Sequence, residues 1–385
     1  MRFFYFFLIS ALFTYSCRNV KNGGLMEVVI DVGLDFGLQL SEITEEITAI
    51  ELELTDESMI NPDHTHKVHI FDNLIFISEL NELLMFDRKG KFIRSIGSRG
   101  QGPGEYTNVN HFTIDEKNMI IYIISNRKII GYDLNGNFLK EFTIGDLNSG
   151  QITDINYFNN ELFILAELIR HKQHKDNEKL NTYISVIYKL NNEMQFIDSC
   201  FYREVYYEGI FLRGNHYNYL TYNNSVAYLY NPEGISFLIN FTPSLNQMFG
   251  TIDRVLSDTL YRFENNRLIP EMRLVFKRNG SFYNGDKNIQ LWQIYRSSRY
   301  VFVEYETGTQ DSHFLFCHDM EQGLSYNTIY KHKEVYIRTE FKKRIRPISN
   351  NTELFYYLQT DTEPDDLEEP NPTLYIGKLK QLTDK

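Results

Sequence analysis

LLMFDRKGKFIRSI (residues 83–96) and IIGYDLNGNFLKEF (residues 129–142) superimpose at an offset of 46 residues. Asp87 falls on Asp133, Gly90 on Gly136, Phe92 on Phe138 and Arg94 on Lys140. The shared core is aromatic-Asp-x-x-Gly-x-Phe, which reads as a hairpin. One strand ends in the aromatic, the Asp side chain caps a tight turn, Gly supplies a positive φ, and Phe starts the returning strand. IYKLNNEMQFID (187–198) is a weaker third copy, with Asn192 expected in the glycine place because asparagine tolerates the left-handed region. Two more strand-like runs precede each of the first two hairpins. They are HKVHIF (66–71) and LIFISE (74–79), then HFTID (111–115) and MIIYIIS (119–125). A four-strand unit recurring every 46 residues has the period of a propeller blade. Blades packed face to face also explain strands that are apolar on both sides.

Ten further strand-like runs lie between SVAYLYN (225–231) and TLYIGKLK (373–380). With the earlier runs they supply enough strands for six four-stranded blades, and seven remain open on the length of 385 residues. Helical periodicity is confined to short stretches at Leu40–Ile47 and 244–256. No Pro/Ser-rich linker divides the chain, so residues 27–385 are expected to form one all-β domain. RHKQHKDNEKLN (170–181) reads as a charged insertion between strands, and TDTEPDDLEEPNP (360–372) as an acidic loop. Aromatic residues make up 15% of the chain, which favours strands. The formal net charge of -12 excludes general nucleic-acid binding and disfavours docking of the body on anionic lipid.

The N-terminus, MRFFYFFLISALFTYSC, places one Arg before an apolar run from Phe3 to Phe13 and ends in Ser16-Cys17. This is the layout of a secretory signal, and its apolar run is too short for a permanent membrane span. The expected organisation is a signal peptide over 1–16, acylation of Cys17 and a lipidated tether over 17–26. Thr14 stands where lipoprotein signals usually carry Leu, so an ordinary cleaved signal with an incidental Cys17 is the alternative. Cys200 and Cys317 form either one disulfide or two buried free thiols; no zinc or redox spacing exists.

FDRKGKFIRSIGSRGQGPGEY (86–106), YDLNGNFLKEF (132–142) and EEPNPTLYIGKLK (368–380) together resemble the six-bladed β-propeller lipoproteins of Bacteroidetes, related in architecture to NHL-repeat propellers. SEITEEITAIELEL (41–54) resembles that family's first strand, and Asn371, Pro372, Leu379 and Lys380 match its C-terminal element. The resemblance implies a six-bladed ring, export and a lipid anchor, and no established activity. It also implies proximity to glycan uptake for many members. The stretch after Cys17, RNVKNGG, lacks the acidic residues of surface-exported lipoproteins, which favours a periplasm-facing outer-membrane anchor in the cell envelope.

Candidate sites follow from the loops. GSRGQGPGEY (97–106) is glycine-rich, but it leads into a strand and has no Lys-Ser/Thr, so it is not a phosphate loop. It reads first as a joint between blades, with Arg99, Gln101 and Glu105 as candidate ligand contacts. Tyr217, Tyr219 and Trp292 are candidates for stacking on a sugar. His64 and His66 would share a strand face beside His69 as a half-site for zinc, and the acids from Asp361 to Glu369 offer oxygens to calcium. Neither spacing completes a site, and no GxSxG, HExxH or SxxK occurs. The expected function is therefore a non-enzymatic binding or scaffold propeller, with no cofactor, whose partners are the membrane and envelope proteins or glycans. The alternative is a hydrolase or lyase with Ca²⁺ or Zn²⁺ at the central channel.

Overall fold

The computed structural model describes residues 25–32, 37–62, 67–79, 81–109, 111–143, 150–158, 160–173, 179–208, 226–229, 236–240, 259–264, 267–278, 281–282, 290–306, 313–330, 345–348, 351–360 and 370–382. Strands dominate, and the single described helix is the turn-and-a-bit Leu40–Ile43, shorter than the stretch its sequence suggests.

Six large sheets follow one another along the chain. The first sheet holds Lys67–Phe71, Leu74–Ser78, Leu83–Asp87 and Phe92–Ser95 as an antiparallel meander. The second holds His111–Asp115, Ile120–Ser125, Lys128–Asp133 and Phe138–Thr143. The third holds Gly150–Phe158, Glu161–Gln173, Lys179–Asn191 and Phe196–Glu208. The fourth runs Val226–Leu229, Ser236–Asn240, Thr259–Glu264 and Arg267–Arg278. It gains the N-terminal strand Met26–Asp31, which lies parallel to Arg267–Arg278, and the short Ser281–Phe282. The fifth holds Gln290–Arg296, Tyr300–Glu306, His313–Asp319 and Leu324–Tyr330. The sixth holds Arg346–Ile348, Asn351–Gln359 and Thr373–Leu379, completed by Thr44–Glu51 from the other end of the chain.

First strands of neighbouring sheets meet each other, as Lys67–Phe71 meets both His111–Asp115 and Arg346–Ile348. They therefore line the axis, with the other strands stacked outward. The fold is an all-β propeller with four-stranded blades. Among the described residues five sheets are four-stranded and the fourth is six-stranded, so five four-stranded blades stand where six or seven were expected. The charged stretch 170–181 does not lie between strands as an insertion. Its described part lengthens a hairpin in which Gln173 pairs with Lys179.

Core packing lies between sheets. Ile75, Ile77, Leu84 and Phe86 of the first sheet pack on Ile348, Tyr356 and Leu374 of the sixth. Phe76 and Met85, on the opposite face, pack on Phe112, Ile121 and Ile123 of the second. Period-2 alternation thus sends successive side chains into two different cores.

The repeated hairpin serves those joints. Asp87 Oδ1 accepts the backbone N–H of Lys89 and Lys91 at 2.8 and 2.9 Å, and Asp133 Oδ1 does the same for Asn135 and Asn137. Gly90 has φ +84, and a Cβ there would stand 1.9 Å from the Glu51 carbonyl oxygen of the preceding blade. In the third copy Asn191 holds the aspartate place, accepting from Glu193 and Gln195. Met194, at φ 60, takes the glycine place instead of Asn192. The register slips by two because an Asn side chain caps as Asp does, and Met194 gains burial in the core for its strained backbone.

Gly90→Ala is expected to cost about 3 kcal/mol, from the positive φ and the clash with Glu51. Urea unfolding would measure it against the exposed control Lys89→Ala, and an unchanged midpoint would refute the account.

Candidate polar centre at the ring axis

GSRGQGPGEY folds as a joint. Its ends pair as a two-stranded parallel ribbon, Ser98 with Glu105 and Arg99 with Tyr106. Glu105 turns inward, accepting the Gly102 N–H at 2.8 Å, and a Cβ on Gly100 would sit 1.9 Å from its carboxylate oxygen. Tyr106 is buried edge-on against Tyr132, whose hydroxyl donates to the Gly104 carbonyl at 2.9 Å. Arg99 and Gln101 remain exposed. Trp292 lies on the axial strand Gln290–Arg296. Cys17, Tyr217, Tyr219, His64, His66, His174 and the acids 361–369 lie outside the described residues. Cys200 and Cys317 are thiols rather than a disulfide, and burial pushes the Cys317 thiol well up.

A different set of residues converges at the axis. Lys67 and His111 are the first residues of the axial strands of the first and second sheets, and Asp154 lies on that of the third. Lys67 Nζ stands 3.8 Å and His111 Nδ1 3.5 Å from Asp154 Oδ1. Their side chains are 12%, 17% and 10% exposed, so the group is mostly buried yet still touches solvent. Lys67 Nζ also approaches the Ile155 carbonyl at 3.5 Å and lies 5.8 Å from the centre of the Phe112 ring. Asp154 accepts the Ile155 N–H at 2.8 Å, and its other oxygen meets the Asn156 amide nitrogen at 3.3 Å. Asn156 is fully buried, and its Oδ1 has no hydrogen-bond partner among the described residues. A buried orphan acceptor carries a desolvation cost of about 1–3 kcal/mol, so it is an anchor point for a donor.

Burial lowers the proton affinity of Lys67, and the Asp154 carboxylate partly restores it. Burial likewise lowers His111, against the pull of Asp154, with the Lys67 charge adding to the lowering. His69, two residues on from Lys67, is lowered by burial against its contact with Glu116 at 3.1 Å. It packs beside Phe76 and Phe112 rather than beside a second histidine. Among the described residues no three His, Cys, Asp or Glu side chains gather as a metal centre would require.

These residues escape sequence reading because 44 and 43 positions separate Lys67, His111 and Asp154, and none belongs to a motif. The available signal is modest: a charged or titratable residue opening an otherwise apolar axial strand. Chemically the cluster supplies donors, acceptors and a destabilised ammonium.

A family model described as a domain of unknown function, DUF4934, matches residues 27–384. No curated protein matches the chain. The crystal structure of a Bacteroides fragilis NCTC 9343 protein, described as a candidate exported protein, is similar with a TM-score of 0.59 at 14% identity. The match covers 92% of this chain and 99% of that one. A Bacteroides vulgatus ATCC 8482 member of the DUF4221 family is similar with a TM-score of 0.52 at 12% identity, covering 88% and 97%. At these identities the likeness concerns fold. Among the described residues no helix is long and apolar enough to cross a membrane.

The lowered histidines give a pH signature. Both bind protons less readily in the folded chain than at the ordinary value of 6.5, so the unfolded chain takes up protons first as pH falls. The stability they contribute is complete above about pH 6.5 and drains away below it. Urea midpoints should therefore fall from pH 7.5 to pH 5.5, and less steeply in His69→Gln/His111→Gln. Equal slopes in both proteins would refute the assignment. Asp154→Ala, which leaves Lys67 without its counter-charge, is expected to cost about 3 kcal/mol at pH 7.5.

Proposed function

The chain belongs to the DUF4934 family, and we propose that it is a non-enzymatic, ligand-binding propeller of the cell envelope. The observation that carries this is the Lys67–His111–Asp154 cluster, where three axial strands bring opposite charges and an unmatched amide oxygen to a partly solvated point. A binding site needs a few convergent polar groups on a rigid frame, and the ring supplies that frame. The six-stranded sheet is read as the sixth blade of an NHL-like ring, since it occupies one place in the series of meanders. Export and acylation at Cys17, on a periplasm-facing anchor, follow from the N-terminal signal layout. Arg99, Gln101, Tyr217, Tyr219 and Trp292 are secondary contacts to vary after the axial cluster.

A divalent cation at this point is disfavoured by the chemistry of the donor set. The Lys67 ammonium, 3.8 Å from Asp154, competes for the carboxylate that a metal would need. The ligand class consistent with the cluster carries hydroxyl or amide donors for Asp154 and Asn156, as glycans do.

Thermal-shift titration with neutral and acidic oligosaccharides tests the reading. At least one class is expected to raise the melting temperature, with the rise lost in Lys67→Met and in Asp154→Asn. A rise that survives both substitutions, or no rise with any sugar, would leave protein scaffolding as the function. Replacing Cys17 with Ala should release the protein from the membrane fraction.

A further inference from the structure

The same position of the hairpin repeat carries an exposed aliphatic residue in all three copies. Ile93 is 39%, Leu139 47% and Ile197 45% exposed. Each is six residues past the capping Asp or Asn and lies on the outermost strand of its sheet. Packing does not require an aliphatic side chain there. In the second and third copies the preceding residue is exposed as well, Phe138 at 46% and Phe196 at 59%. These are the two places among the described residues where large exposed apolar side chains sit next to each other in sequence. The two pairs lie on adjoining blades, because Lys140 Nζ of the second sheet contacts the Asn192 carbonyl in the turn that leads into Phe196.

The N-terminal strand enters on the next sheet along the chain. Met26–Asp31 runs outside and parallel to Arg267–Arg278, so Met26 sits on the outer edge of that sheet. Cys17 precedes Met26 by nine residues, a reach of at most about 30 Å. An anchor at Cys17 would thus hold the rim of these blades within a few nanometres of the bilayer.

We infer that the rim patch formed by Phe138, Leu139, Phe196 and Ile197 rests on the lipid bilayer and holds the ring edge-on to it. This rests on the export-and-anchor reading. A lipid surface suits the patch better than a protein groove does. The two apolar pairs are separated by the polar turn at Asn192 and Glu193, and a fluid interface accepts separated side chains without needing a continuous apolar face. The formal charge of -12 also means that attachment comes from apolar insertion, not from attraction to anionic headgroups. Edge-on seating leaves the axial cluster accessible from the side, parallel to the membrane plane.

The test uses the full acylated chain in phosphatidylethanolamine–phosphatidylglycerol vesicles containing nitroxide-labelled lipid. Fluorophores are placed on Glu193→Cys, beside the patch, and on Gln322→Cys in the fifth sheet, each in a Cys200→Ser background. Both reporter positions are exposed. The lipid is expected to quench the Glu193 reporter and leave the Gln322 reporter bright. Phe138→Ser/Phe196→Ser should abolish that quenching while the protein stays on the vesicles through its anchor. Equal quenching of both reporters, quenching of neither, or quenching that survives the double substitution would overturn the proposal. Quenching of neither together with a doubled mass would mark the patch as an interface between copies. Cys17→Ala separates the two readings: if that variant stays in the membrane fraction, the anchor is wrong whichever reporter is quenched.

Discussion

The ring depends on one strand pairing between the two ends of the chain. Thr44–Glu51 lies antiparallel to Thr373–Leu379 and completes a sheet whose other strands are all C-terminal. Without it that sheet would expose an edge, and the sheets on either side would lose the packing that closes the circle. Side chains lock the seam. Asn371 Oδ1 accepts the Ile60 N–H at 2.9 Å, and its amide donates to the carbonyls of Glu53 and Ser58. Lys380 Nζ donates to the carbonyls of Ser41 and Glu42. An asparagine more than three hundred residues from its partners thus satisfies three backbone groups that water would otherwise have to reach.

Closure constrains every other joint, because sheets in a ring cannot shift independently. The hairpin turn carries this constraint outward. Gly90 comes against Glu51, and its carbonyl accepts the Glu53 N–H at 2.8 Å, so the turn of one blade caps the outer strand of its neighbour. Arg94 reaching the Asn135 carbonyl and Lys140 reaching the Asn192 carbonyl repeat the relation at the next two joints. The turn residues therefore do two jobs. The aspartate or asparagine fixes the local bend, and the residue at positive φ allows the close approach. A buried Met194 can replace glycine only where the neighbour leaves room for a side chain.

This double duty explains what was legible in the sequence. Asp87, Gly90 and Phe92 recur as Asp133, Gly136 and Phe138 because turn chemistry is local and tolerates few residue types. Strand runs were legible because blades are apolar on both faces. The displaced register of the third copy was not, since Asn192 suits the glycine place on paper and only the bend shows that Asn191 caps the turn and Met194 takes the positive φ. Sheet composition was not legible either: that Met26–Asp31 joins the fourth sheet is a long-range pairing with no local signature. The axial cluster was hidden for the same reason. Lys67, His111 and Asp154 are ordinary residues until closure sets three strands side by side.

That cluster is also where the fold departs from its own logic. Most of the core between blades is aliphatic and aromatic, with further buried polar pairs at Arg299–Asp319 and His313–Glu304, and a buried ion pair confers no advantage over a well-packed apolar group of the same volume. Lys67 and His111 both lose proton affinity on burial, and Asn156 keeps an acceptor unmatched, so the axis holds three unfavourable terms at one point. Leucine or methionine at these positions would satisfy the packing without those terms. The ring closes through Asn371 and the hairpin turns, none of which touches the cluster, so its polar groups are not needed for closure. Three axial strands set these polar groups side by side at a partly solvated point, and it is this combination of polarity and access that the proposed recognition role rests on.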